Sequence, residues 1–87
     1  MKAVVTVVGK DKVGIIAKVS TLFSENDINI LDISQTIMQD MFTMIMLVSI
    51  PSASVKMINE KLNELAKEMS LSIHLQNEEV FSSMHRI

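Results

Sequence analysis

Ile28-Asn29-Ile30-Leu31-Asp32-Ile33-Ser34-Gln35-Thr36-Ile37-Met38-Gln39, then Asp40, then Met41-Phe42-Thr43-Met44-Ile45-Met46-Leu47-Val48-Ser49-Ile50: on this stretch the fold turns. The first half mixes apolar and polar residues, with Ile33 and Ile37 set apart by Ser34, Gln35 and Thr36, as expected of a strand at the edge of a sheet. The second half is apolar at nearly every position, a pattern that suits a strand covered on both faces. Asp40 supplies the turn between them, although no Asn-Gly or paired Gly marks it. Two consecutive strands on a short turn pair antiparallel, so one edge and one centre of a sheet are already placed.

Working outward, the segment before this hairpin carries Ile15, Ile16, Val19, Leu22 and Phe23, one face of an α-helix. It should end near Glu25-Asn26-Asp27, where Asn26 can take the left-handed conformation that lets Ile28 turn back. Before that helix, Lys2 to Val8 is β-branched and apolar on both alternating faces, and Gly9 is expected to stop it. On the other side Pro51-Ser52 breaks the strand, and Ile58, Leu62, Leu65 and Met69 recur at helical spacing. Leu71, Ile73 and Leu75 then alternate with Ser72, His74 and Gln76, the pattern of a half-buried strand.

The order is β-α-β-β-α-β, an α+β chain of the ferredoxin-like kind: a four-stranded antiparallel sheet with two helices on one face. In that topology the first and third strands are central and the second and fourth are edges, matching the doubly apolar and mixed strands. Val80, Phe81, Met84 and Ile87 continue at helical spacing, so a short C-terminal helix is expected, docked on the body or on a partner. Two helices cover only one face. Dividing the central strands into Val4, Val8, Met44, Met46 and Val48 against Val5, Val7, Ile45 and Leu47 leaves one apolar set needing other cover, and a second copy of the chain is the simplest. A two-fold homodimer is expected, with a higher oligomer left open.

Composition bounds the rest. The 87 residues hold 48% hydrophobic and 21% charged side chains, an ordinary folding composition for one domain. With no Cys, neither a disulfide nor a thiolate zinc site is available. A net charge of −2 and a lone arginine, Arg86, argue against a nucleic-acid surface. The start lacks the pattern of a signal peptide and no apolar run approaches membrane-spanning length, so the expected location is the cytoplasm, away from membranes.

Few constellations carry chemistry. Gly9-Lys10-Asp11-Lys12-Val13-Gly14 has the glycine separation of a phosphate loop, but Ile15-Ile16 stand where Lys and Ser/Thr would be needed. What remains is a loop at a helix N-terminus, where unpaired N–H groups favour a carboxylate. Asp11 suits an ammonium group and Asn29 can donate and accept, so together they could grip a zwitterion; the plainer alternative is that Gly14 only permits the turn, Asp11 caps the helix and Asn29 satisfies a corner. Met38, Met41, Met44 and Met46 suit core or dimer packing better than a copper(I) site. His74 and His85 have no further ligands around them, and no Gly-x-Ser-x-Gly turn is present, so no metal, no cofactor and no enzymatic activity are expected. Glu60, Glu64 and Glu68, flanked by Lys56, Lys61 and Lys67, form an outward acidic row on the second helix.

The Asp11-Lys12-Val13-Gly14-Ile15-Ile16 turn and Ile28-Asn29-Ile30-Leu31-Asp32-Ile33 resemble the ACT domain, a βαββαβ module of regulators and enzymes of amino-acid metabolism. The resemblance places an ACT domain over 1–76, with the helical tail read from spacing over 77–87 beyond it; the whole chain is similar to small stand-alone ACT proteins of bacteria and archaea, and its domain to those of glycine-cleavage repressors. It implies side-by-side or face-packed dimers and an amino acid held between the first loop and helix of one chain and the second strand of another. Carried residue by residue, it assigns Asp11, Lys12, Val13, Gly14 and Ile15 to the first part of that site and Asn29 and Ile30 to the second. Gly9 departs from members with a polar side chain there. The function implied is a non-catalytic regulatory module that binds a small amino acid. The alternative is a protein-interaction subunit without a ligand, docking on a partner enzyme or regulator.

Overall fold

The computed structural model describes residues 1–10 and 13–84; Asp11, Lys12, His85, Arg86 and Ile87 lie outside the described residues. The elements run β1 (Lys2–Lys10), α1 (Ile15–Glu25), β2 (Asn29–Met38), β3 (Met41–Ser49), a 3-10 turn (Ser52–Ser54), α2 (Val55–Met69), β4 (Ser72–Asn77) and α3 (Glu78–Met84). The strands form one antiparallel sheet in the order β2-β3-β1-β4, so β1 and β3 are central as their apolar sequences require. This is the expected βαββαβ sandwich with a short C-terminal helix.

The register decides which side chains share a face, because residues directly opposite in an antiparallel pair project to the same side. Val5 lies opposite Met46 and Val7 opposite Met44, while Val4 lies opposite Leu47 and Thr6 opposite Ile45. The sequence division above is therefore corrected: Ala3, Val5 and Val7 join Phe42, Met44, Met46 and Val48, all buried against Ile15, Val19 and Phe23 of α1 and Ile58, Leu62, Leu65 and Met69 of α2. Val4, Thr6, Val8, Thr43, Ile45 and Leu47 belong to the opposite face. No polar or charged residue is buried among those described, so the core contributes through apolar burial, about 1.5–3 kcal/mol for each large side chain.

Both long helices end alike. After α1 the Ile28 N–H donates to the Phe23 carbonyl (2.9 Å) and the Asp27 N–H to that of Ser24 (3.4 Å), with Asp27 at φ 57°. The left-handed residue is thus Asp27 and not Asn26, whose amide instead donates to the Leu22 carbonyl (2.7 Å). After α2 the Leu71 N–H reaches the Ala66 carbonyl (2.8 Å) across Ser70, at φ 55°. These compact stops feed β2 and β4 back beneath the helices.

Strand β1 does not stop at Gly9. It continues to Lys10, with Gly9 paired to Phe42 on the helix side. A Cβ at Gly9 would stand 2.5 Å from Leu71 Cδ2, so this glycine makes room for the side chain entering β4. Helix α3 follows β4 with no intervening residue, the Glu79 N–H donating to Asn77 Oδ1 (2.8 Å), and it packs on β1 and β4.

Candidate functional site

Gly14 sits at the N-terminus of α1 at φ 91° and makes no side-chain cap; its carbonyl accepts from the Lys18 N–H at 2.9 Å. The left-handed turn is what a glycine supplies at low cost, and it leaves the first N–H groups of the helix without intrahelical partners. Gly14, Ile15, Ile16 and Ala17 line one wall of an open cavity of about 430 Å³, and Gln35, Ile37 and Phe42 line the other. Val13 is fully exposed beside it, whereas the Ile15 side chain is buried and serves the core.

Asn29 and Ile30 lie elsewhere. They open β2 just past the C-terminus of α1 and line a second cavity, about 460 Å³, with Ser20, Phe23, Ser24, Asp27 and Ile28. The eleven residues of α1 span about 16 Å between these two ends. Within one chain the residues expected to hold a ligand therefore form two half-sites. Asp11 and Lys12, assigned to the first, lie outside the described residues.

The two half-sites are joined by β2, which is exposed at every one of its ten residues. Its side chains are not those of a strand left in water. Ile33 is 43% exposed, Ile37 55% and Met38 72%. By register Ile30, Ile33, Gln35 and Ile37 project to the helix side, opposite Val48, Met46, Met44 and Phe42, and α1 does not cover them. Leu31 is the extra residue of a bulge between Ile30 and Asp32, and it shifts the alternation by one. An exposed edge of this length and apolarity is one that proteins ordinarily cover or pair.

A third depression, about 460 Å³, runs between α1 and α2 over Leu22 and Leu65. Lys18 spans it to Glu68 (Nζ to Oε1, 2.9 Å), and Lys61 donates to Asn26 Oδ1 at 3.0 Å. Glu68 of the acidic row thus has a partner on the other helix. His74 accepts or donates across 3.3 Å to Ser72 Oγ on the outer face of β4. Among the described residues, no three His, Cys, Asp or Glu side chains are grouped to hold a metal, and no helix is long and apolar enough to cross a membrane.

Sequence reading missed Ile16, Gln35, Ile37 and Phe42 at the first half-site and Ser20 and Ser24 at the second. The available signal was Gln35, a polar residue between Ile33 and Ile37 on the helix-facing side of a strand.

Comparison with known proteins agrees with the fold. The family model for the ACT domain matches residues 2–76. A UPF0237 protein of Clostridium acetobutylicum is 53% identical over 89 residues, covering 100% of both chains. Among solved structures, an ACT domain protein from Streptococcus pneumoniae superimposes with a TM-score of 0.82 at 38% identity, over 93% of each chain. A protein described as a glycine cleavage system transcriptional repressor gives a TM-score of 0.80 at 27% identity, over 86% of this chain and 44% of that one.

Proposed function

Because the chain belongs to the ACT-domain family, we propose that it is a non-catalytic regulatory module that forms a homodimer through β2 and binds a small amino acid between the two copies. The observation that carries this reading is the bare β2 edge with a half-site at each end. Antiparallel pairing of β2 with its two-fold mate sets the Asn29 end of one strand beside the Ile37 end of the other. The half-site around Gly14 of one copy then faces Asn29 and Ile30 of its partner. The α1 N-terminus would take the carboxylate and Asn29 would accept from the ammonium group, a role the family resemblance also assigns to Asp11. Ile16 and Ile37 would meet the ligand's side chain. Amino-acid occupancy would add contacts across the seam, so ligand and assembly are linked, and a partner enzyme or regulator in amino-acid metabolism would read the assembled state.

The test is thermal unfolding followed by far-ultraviolet circular dichroism, with each of the twenty amino acids at millimolar concentration. A ligand at 100 times its Kd adds about 2.7 kcal/mol, which moves the midpoint of a domain this size by about 10–20 degrees. A shift confined to one or two amino acids, lost in Asn29→Ala while the dimer mass is kept, supports the reading. No shift with any of them defeats the ligand. The same exposed edge favours a second reading, in which β2 takes an extended segment of another protein and no small molecule is bound.

A further inference from the structure

The cavity at the N-terminal end of α1 has walls of nearly one kind. Ile16 and Ala17 come from the helix, and Gln35, Ile37 and Phe42 from the sheet. Ile37 lies directly opposite Phe42 in the β2 and β3 ladder, so the two stand side by side on the helix-facing side. Phe42 is buried, whereas Ile16 is 40% exposed and Ile37 55%, which leaves apolar surface bare at this cavity in the single chain. Among the described residues no Asp, Glu, Lys, Arg or His lines it, and Gln35 is its one polar side chain. The other cavities beside α1 differ in this respect. Lys18, Lys61 and Glu68 border the groove between the helices, and Asp27 borders the cavity that holds Asn29.

We propose that the amino acid bound at this site is one with a large apolar side chain, and that Ile16 and Ile37 select it. The inference rests on the reading of this cavity as half of an amino-acid site and deepens it by naming the class of ligand. Size and chemistry both point that way. A space of about 430 Å³ lies within the range that encloses small ligands, and glycine or alanine would leave most of it to water held against apolar walls. A charged side chain would exchange water for Ile16, Ile37 and Phe42 without a counter-charge among the described residues, which costs affinity. A ligand hydroxyl or amide would find Gln35 alone. Gln35 is exposed and already solvated, so trading its water for such a group gains little. An apolar side chain gains at every wall. Each added methylene is worth about fourfold in affinity when fully buried and about twofold when half buried. Leucine exceeds alanine by three carbons, so it should bind about eight- to sixtyfold more tightly.

The experiment is isothermal titration calorimetry on the full chain with glycine, alanine, serine, leucine, isoleucine, methionine, phenylalanine, glutamine, glutamate and lysine. The four large apolar amino acids are expected to bind most tightly. Ile16→Ala and Ile37→Ala, both at exposed positions, are each expected to weaken leucine about fivefold or more while leaving alanine within about twofold. Gln35→Leu is expected to leave leucine within about threefold. Tightest binding of glycine, serine, glutamine or a charged amino acid overturns the inference while the amino-acid site stands. Equal losses for leucine and alanine in both wall variants also overturn it, since general damage to the site would do the same. If none of the ten gives heat of binding, the amino-acid site itself is refuted and the selection falls with it.

Discussion

Gly9→Ala isolates a contact that the topology creates between the end of β1 and the start of β4. The added Cβ would stand 2.5 Å from Leu71 Cδ2, yet 3.5 Å from Leu71 Cα and 3.6 Å from the Ser70 carbonyl oxygen. The backbone distances are ordinary contacts, so only the end of the leucine must retreat, by about 1 Å from where it packs. Leu71 is nearly buried, and crowding of this kind in a packed core costs about 1–3 kcal/mol. Alanine recovers about 0.5–1 kcal/mol of that, since glycine is unfavourable inside a strand. The net expected loss is about 0.5–2 kcal/mol, a fall in Tm of roughly 2–15 °C for a chain of this length. Urea unfolding followed by far-ultraviolet circular dichroism measures it, the chain having no Trp or Tyr to report. Leu71→Ala alone should cost about 2–5 kcal/mol through the space it vacates. In the double substitution the new methyl partly fills that space, so the loss should fall short of the sum of the singles by about 1 kcal/mol or more. Losses that add within about 0.3 kcal/mol would refute the contact as the reason for this glycine.

Gly14 should behave oppositely, because none of the other described residues lies within 4 Å of its virtual Cβ and its φ of 91° is the constraint: Gly14→Ala should cost about 1–2 kcal/mol and Gly14→Asn clearly less, with equal losses counting against it in the same urea assay. Phe23→Ala, which empties a fully buried position on the core face of α1, should cost about 3–5 kcal/mol and leave little folded chain at 37 °C by circular dichroism. The Lys18 to Glu68 pair joins two side chains that are 51% and 61% exposed, so a double-mutant cycle should return no more than about 1 kcal/mol, smaller still at high salt; a larger, salt-insensitive coupling would show that the groove between the helices is not solvated.

How far the sequence could be read varies from element to element. Ile58, Leu62, Leu65 and Met69 repeat at a helical period because one stripe of α2 is buried, so that helix was legible together with its core face. Strand β3 was legible as central because its apolar run fits only a doubly covered strand. The division of faces in β1 was not legible. A run apolar on both sides fits either register equally, and one residue of slip exchanges the two sets. Gly9 misled for a related reason: as punctuation it reads as a stop, whereas its purpose is space for a residue sixty-two positions later. Of the candidate site, Gly14 was legible from the need for a turn before a helix. Gln35, Ile37 and Phe42 were not, since the cavity they line with α1 exists only once β2 is paired with β3.

Local periodicity set by burial was enough to specify the order of elements, the central and edge strands and the helix faces. Tertiary structure alone decided the register, the side of the sheet on which α3 lies, and the separation of Gly14 from Asn29 by the length of a helix. These depend on contacts between residues far apart in the chain, whose partners no local pattern specifies.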